Sequence, residues 1–222
     1  MIDVKALLTQ DFAPKVQRKI YSDILEAIKI YNVFMVDNRI FFSYPNFSSL
    51  KGELLSYSVS KVLNDSAFTP KANYRVMPKE VNGYKRNILH METDHFKTTL
   101  AKTKKNGQLP CKSKYKKEYA ISNKVGEGQY SLFGIDNEIQ TVELPKLYAI
   151  ITYGYNDIKK ECSHANILVP DSIFKKPLEV IDLARNYIAF DKVEDYNVMQ
   201  QEDIVKLHDE LEKIVKLKTS NL

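Results

Sequence analysis

The chain has 222 residues, 44% of them hydrophobic and 27% charged, which excludes a disordered or fibrous protein and fits one large domain, or one domain with a helical extension. Its net charge is only +5, yet residues 97–124 hold nine lysines against the single acid Glu118, a local +8 that leaves −3 for the rest of the chain. No signal peptide is expected in MIDVKALLTQDF, no apolar run approaches the ~20 residues of a membrane span, and two cysteines (Cys111 and Cys162) are too few for a disulfide framework, so the expected compartment is a reducing cytoplasm.

A helix is predicted over the first thirty residues. Pro14 suits a first turn, and Val16, Ile20, Ile24, Ala27, Ile28 and Tyr31 share one stripe at helical spacing. A hairpin over 33–36 and 39–43 follows, turning at Asp37-Asn38. Ser48 or Ser49 caps a second helix to about residue 63, aligning Leu50, Leu54, Val59 and Val62.

Asn82-Gly83 fits a type I′ turn between strands 74–81 and 84–94. Its register sets Arg75 opposite His90, Val76 opposite Leu89 and Glu80 opposite Lys85. One face then carries Tyr74, Val76, Leu89 and Met91, a natural core face. The other carries Arg75, Lys79, Arg86, His90 and Glu92, with Asp94 beyond. Pro78 assigns the first strand to a sheet edge or a bulge.

Residues 98–105 read as a strand end or a loop, and Asn106-Gly107 as a turn. Pro110 and Ser113 introduce a short helix to about residue 121, with Tyr115 and Tyr119 on one side. Gly126, Gly128 and Gly134 punctuate an irregular link. Strands 147–153 and 165–169 pair across a turn near Asn156-Asp157, and Pro177 opens a helix to about 188. Residues 201–218 form an amphipathic helix striped by Ile204, Leu207, Leu211 and Ile214. It docks on its own domain or serves as a homodimer contact. The expected fold is α+β: an antiparallel sheet built from three hairpins with flanking helices. One domain covers residues 1–200, followed by the C-terminal helix at 201–222.

Three constellations could carry chemistry. The first is the basic segment, Lys97, Lys102, Lys104, Lys105, Lys112, Lys114, Lys116, Lys117 and Lys124, with Phe96, Tyr115 or Tyr119 as a ring on which a base could stack. The chain has 28 lysines and 5 arginines, and lysine is a point charge that attracts phosphate without reading bases. The bland alternative is a solvated surface with its tyrosines turned inward. The lysines come without an apolar stripe, which argues against membrane binding.

The second is His90, Glu92 and Asp94 on one strand face beside Arg75. A histidine, two carboxylates and a cation could support general acid–base chemistry on a phosphodiester, or a solvent-facing hairpin could carry the same residues idly. The third, Cys162-Ser163-His164, lacks a second ligand pair for zinc. Gly126-Glu127-Gly128 is no phosphate loop, and no cofactor is identifiable. The functional expectation is a regulatory or accessory protein binding RNA, DNA or another polyanion through residues 97–124. The alternatives are a small endoribonuclease using His90, Glu92 and Asp94, and a module or inhibitor whose basic face meets an acidic protein.

Overall fold

Two start signals within the first fifteen residues set an N-terminal helical layer. Asp3 caps α1 (Val4–Asp11) by accepting from the Ala6 amide at 3.0 Å. Pro14 takes the first turn of α2 (Pro14–Asp37), where a missing N–H removes no helical hydrogen bond. The structure, a computed structural model, describes residues 2–67, 74–80, 87–127, 145–190 and 208–213.

α2 buries the predicted stripe and adds Phe34. The hairpin expected at 33–43 is therefore absent: α2 runs through to Asp37, and a 3₁₀ turn, Phe41–Ser43, follows. Phe34 stands three residues past Tyr31, so continued helix carries its ring into the same core, worth about 1.5–3 kcal/mol. α3 (Ser48–Ala67) buries Leu50, Leu54, Val59 and Val62 as predicted, with Leu55 and Leu63 beside them.

Among the described residues, six strands form one sheet in sequence order: β1 (Arg75–Glu80), β2 (Asn87–Glu92), β3 (Phe96–Lys102), β4 (Leu147–Asn156), β5 (Glu161–Pro170) and β6 (Pro177–Asp182). Four neighbouring pairs are antiparallel, but β3 and β4 run parallel. The sheet is thus mixed, which corrects the purely antiparallel expectation while keeping the α+β class. The segment after Pro177, expected as helix, is first an edge strand and only then α5 (Leu183–Phe190). Proline at the first residue of an edge strand breaks no ladder bond, so it fits there as well as in a helical first turn.

A parallel neighbour lies beyond the reach of a tight turn, so the chain between β3 and β4 has to cross a face of the sheet. α4 (Lys114–Ala120) lies on that crossing. The opposite face makes the main core, where Met91, Phe96, Ala149, Ile151, Tyr153, Ala165 and Ile167 meet apolar residues of the helices. The crossing covers a smaller cluster, Ala120, Tyr148, Ile150 and Phe174, with Ala101, Leu109 and Tyr119 against it. β4 is apolar on both sides because both its faces are covered.

Residues 208–213 are helical, and Leu211 is fully buried in the main core. Glu210 accepts from the Tyr57 hydroxyl of α3 at 2.8 Å, and His208 Nε2 lies 3.3 Å from Asp37 Oδ2 of α2. This portion docks on the chain's own helices. Ile204, Leu207 and Ile214 lie outside the described residues, as do the Asn82-Gly83 turn, Lys85, Arg86, Gly128 and Gly134. Among the described residues, no helix is long and apolar enough to cross a membrane.

Candidate functional site

The basic segment is pinned to the sheet near both its ends. At the first, the Thr103 amide donates to the Tyr153 carbonyl at 2.9 Å, and its hydroxyl lies 2.8 Å from His164 Nε2. At the second, Asn123 is fully buried. Its amide group donates to the carbonyls of Tyr148 (3.0 Å) and Pro170 (2.7 Å), and its oxygen accepts from the Tyr148 N–H (2.7 Å). Tyr148 and Tyr153 both belong to β4, and at ~3.3 Å per residue the anchors are about 17 Å apart along the strand. Gly107 turns the intervening loop with φ of +68°, as Asn106-Gly107 predicted.

The lysines of this segment do not act alike. Lys104, Lys105, Lys112, Lys114, Lys117 and Lys124 are exposed, and among the described residues none is in an ion pair. Lys102 belongs to the other side: it alternates onto the helical face, with Nζ 5.7 Å from the Tyr155 ring centroid. Lys116 is buried, donating from Nζ to the Cys111 carbonyl at 3.1 Å. Tyr115 is half-buried and packs edge-on against Tyr119, at 5.9 Å between centroids. Lys97 is half-buried beside the Tyr119 ring, so the nine-lysine surface is a six-lysine surface, with Tyr115 partly committed to packing.

The second constellation assembles differently from its prediction. β1 and β2 pair two residues out of the expected register: Arg75 faces Glu92, Met77 faces His90 and Val76 faces Met91. Alternation survives a shift of two, so the predicted faces hold, but Arg75 is not the cross-strand neighbour of His90. β2 ends at Glu92, so Asp94 is exposed in the turn beyond it and does not share the face. His90 and Glu92 do come together, with Nδ1 3.7 Å from Oε1.

What surrounds them is the structural surprise. Tyr119, reaching from α4, lies edge-on to His90 at 5.8 Å and to Tyr148 at 5.3 Å. Its ring centroid is 5.1 Å from Lys79 Nζ and 4.9 Å from Lys97 Nζ. Lys146 bonds Glu92 at 3.1 Å. His90 is 3% exposed, and its Nε2 is buried with no hydrogen-bond partner. Burial and then Lys79 depress its pKa, so the ring is neutral near pH 7. Burial, then Lys79, also depresses Lys97. For Glu92, burial works upward, but the bond from Lys146 prevails and the carboxyl stays ionised.

This arrangement can hold an anion more readily than it can exchange protons with solvent, because the imidazole is covered. Of the three rings offered for stacking, Phe96 is fully buried and Tyr119 instead packs among His90, Tyr148, Lys79 and Lys97. That hub has no local signal in the sequence, and neither has Lys146, since its link to Glu92 depends on the parallel pairing of β3 and β4. In the third constellation, the two expected ligands part: Cys162 Sγ donates to the His164 carbonyl at 3.3 Å, and burial pushes its thiol up to about 11, while the His164 ring is held between the hydroxyls of Ser163 (3.0 Å from Nδ1) and Thr103 (2.8 Å from Nε2). Among the described residues, no three His, Cys, Asp or Glu side chains converge to hold a metal.

Neither a family model, nor a curated protein, nor a solved structure matches this chain, so its function has to be argued from the site itself.

Proposed function

We propose that the chain binds a polyanion, nucleic acid in the first instance, through Lys104, Lys105, Lys112, Lys114, Lys117 and Lys124. One observation carries this reading: six exposed cations without acid partners among the described residues lie on a segment anchored near both ends to the sheet. Anchoring limits the entropy lost when such a segment docks, and unpaired ammonium groups have no internal bond to exchange for a phosphate. The ~17 Å between anchors equals about five phosphate steps along one duplex strand at ~3.4 Å each. Lysine without arginine favours backbone contact over base reading.

The test is labelled single-stranded RNA and DNA titrated with purified protein over a range of salt, with and without divalent metal. Six phosphate contacts give a slope of log K on log salt of about −4 to −5. Replacing Lys112, Lys114 and Lys117 together by Ala should halve it. No complex at low salt, or one indifferent to salt, would remove nucleic acid as the partner. Tight binding of an acidic protein in its place would reassign the face to protein contact. Cleavage of the RNA would reopen a catalytic role for His90 and Glu92.

A further inference from the structure

The Tyr119 hub has a charge imbalance that its own residues leave uncorrected. Three ammonium groups, Lys79, Lys97 and Lys146, act on the His90 ring, and Glu92 is the one carboxylate acting with them. Glu92 is bonded to Lys146. Among the described residues, neither Lys79 nor Lys97 is in an ion pair, and each lies about 5 Å from the Tyr119 ring centroid. A ring face is a weak substitute for an anion. Beside them, buried His90 Nε2 has no hydrogen-bond partner, an omission that native interiors rarely leave unanswered.

We propose that Lys79, Lys97 and His90, gathered at the Tyr119 ring, form a seat for a phosphate monoester dianion. Two unpaired positive charges match its two negative ones, and its oxygens accept from both ammonium groups and from a donating Nε2. The seat is distinct from the six exposed lysines. It rests on the polyanion reading only for the source of the phosphate, which is either the end of a nucleic-acid strand or free phosphate. Groups facing it are Lys79 from β1, Glu92 from β2, Lys97 from β3, Lys146 before β4, and Tyr115 and Tyr119 from α4, with Tyr148 beneath. Among these groups only Glu92 opposes an anion, and Lys146 holds it.

The experiment uses the full chain with ¹⁵N-labelled histidine. Inorganic phosphate is titrated against chloride at constant ionic strength, and the imidazole resonances of the four histidines are followed. The His90 signals, assigned with His90→Gln, should move saturably with phosphate and not with chloride, and its protonation should shift to higher pH. Lys97→Gln and Lys79→Gln should each weaken the response about tenfold, as expected for losing one charge-assisted contact. Lys79 is exposed on an edge strand, so its variant remains informative should Lys97→Gln fold poorly.

Two oligonucleotides of one sequence, with a 5′-phosphate or a 5′-hydroxyl, separate the sources. Preference for the phosphorylated strand assigns the seat to a nucleic-acid end, and phosphate binding without that preference assigns it to free phosphate. His90 resonances that stay fixed at tens of millimolar phosphate, or that move as well in both lysine variants, would overturn the seat. Replacing Lys112, Lys114 and Lys117 by Ala should leave the phosphate response intact while weakening RNA. A failure of the polyanion reading would therefore show in the RNA arm alone.

Discussion

Asp11, near the end of the first helix, holds both the ring and the backbone of His95, 84 residues later. Its Oδ1 lies 2.7 Å from His95 Nδ1, and its Oδ2 accepts from the His95 amide at 2.7 Å and from the Thr93 hydroxyl. The carboxylate is buried, whereas about a third of the His95 side chain is exposed. This contact ties α1 to the turn joining β2 and β3, and so sets the start of the strand that carries Lys97.

Asp11→Ala would leave the His95 amide and the Thr93 hydroxyl without their acceptor. We expect a loss of about 2–4 kcal/mol, read as a lower urea midpoint at unchanged slope. His95→Ala should cost less, about 1 kcal/mol, because its ring already meets water. A loss below about 0.5 kcal/mol for Asp11→Ala would mark the contact as surface-like and refute the tie.

Asn123 satisfies three backbone groups from a fully buried position, one on β5 and two on β4. Asn123→Ala should destabilise the fold by about 3 kcal/mol, roughly the cost of several buried groups left unpaired. It should also raise hydrogen exchange selectively across α4. Uniform exchange changes throughout the sheet, with α4 no different, would show that the side chain does not anchor the crossing.

Two adjacent lysines should separate packing from charge. Lys116 is buried and bonded to Cys111, whereas Lys117 is exposed. Lys117→Ala should lower the salt slope of RNA binding by about 0.7–0.9 and leave stability within about 0.5 kcal/mol. Lys116→Ala should lower thermal stability and barely alter the salt slope. The reverse pattern would mean that Lys116, not Lys117, meets the polyanion.

The pKa values of His90 and His164 are both depressed, chiefly by burial. In the unfolded chain each titrates near about 6.5, so below that pH the unfolded state binds more protons than the folded one. Stability should therefore be flat above about pH 7 and fall as pH drops through about 6.5, levelling out below the folded values. His90→Gln should flatten part of this slope in denaturation curves measured from pH 7.5 to 5. Stability that rises on acidification over that window would contradict a neutral His90.

Local periodicity was readable where burial is one-sided. The α2 stripe from Val16 to Tyr31 and the α3 stripe of Leu50, Leu54, Val59 and Val62 face the core as spacing dictates. The faces of β1 and β2 were readable as well, but not their partners, because alternation repeats every two residues and a slip of two conserves it. Three features were out of reach for one physical reason each. Residues 33–36 are apolar in a row, which suits strand and buried helix equally. Pro177 suits a helix start and an edge-strand start alike. The parallel β3–β4 pair leaves no local signature, and that pair decides which face receives the lysines and brings Lys146 to Glu92.

Strand order in the sheet equals strand order in the chain, and this has a bearing on synthesis. Helices α1 to α3 leave the ribosome before β1, so their apolar faces are on hand when the described strands emerge. β1 then β2 follow, and every later strand finds the edge it needs already exposed and waiting. Among the described strands, none has to be inserted between two earlier ones, and no earlier pairing has to open. A chain delivered from its N-terminus can thus grow this sheet outward in a single direction, one edge at a time.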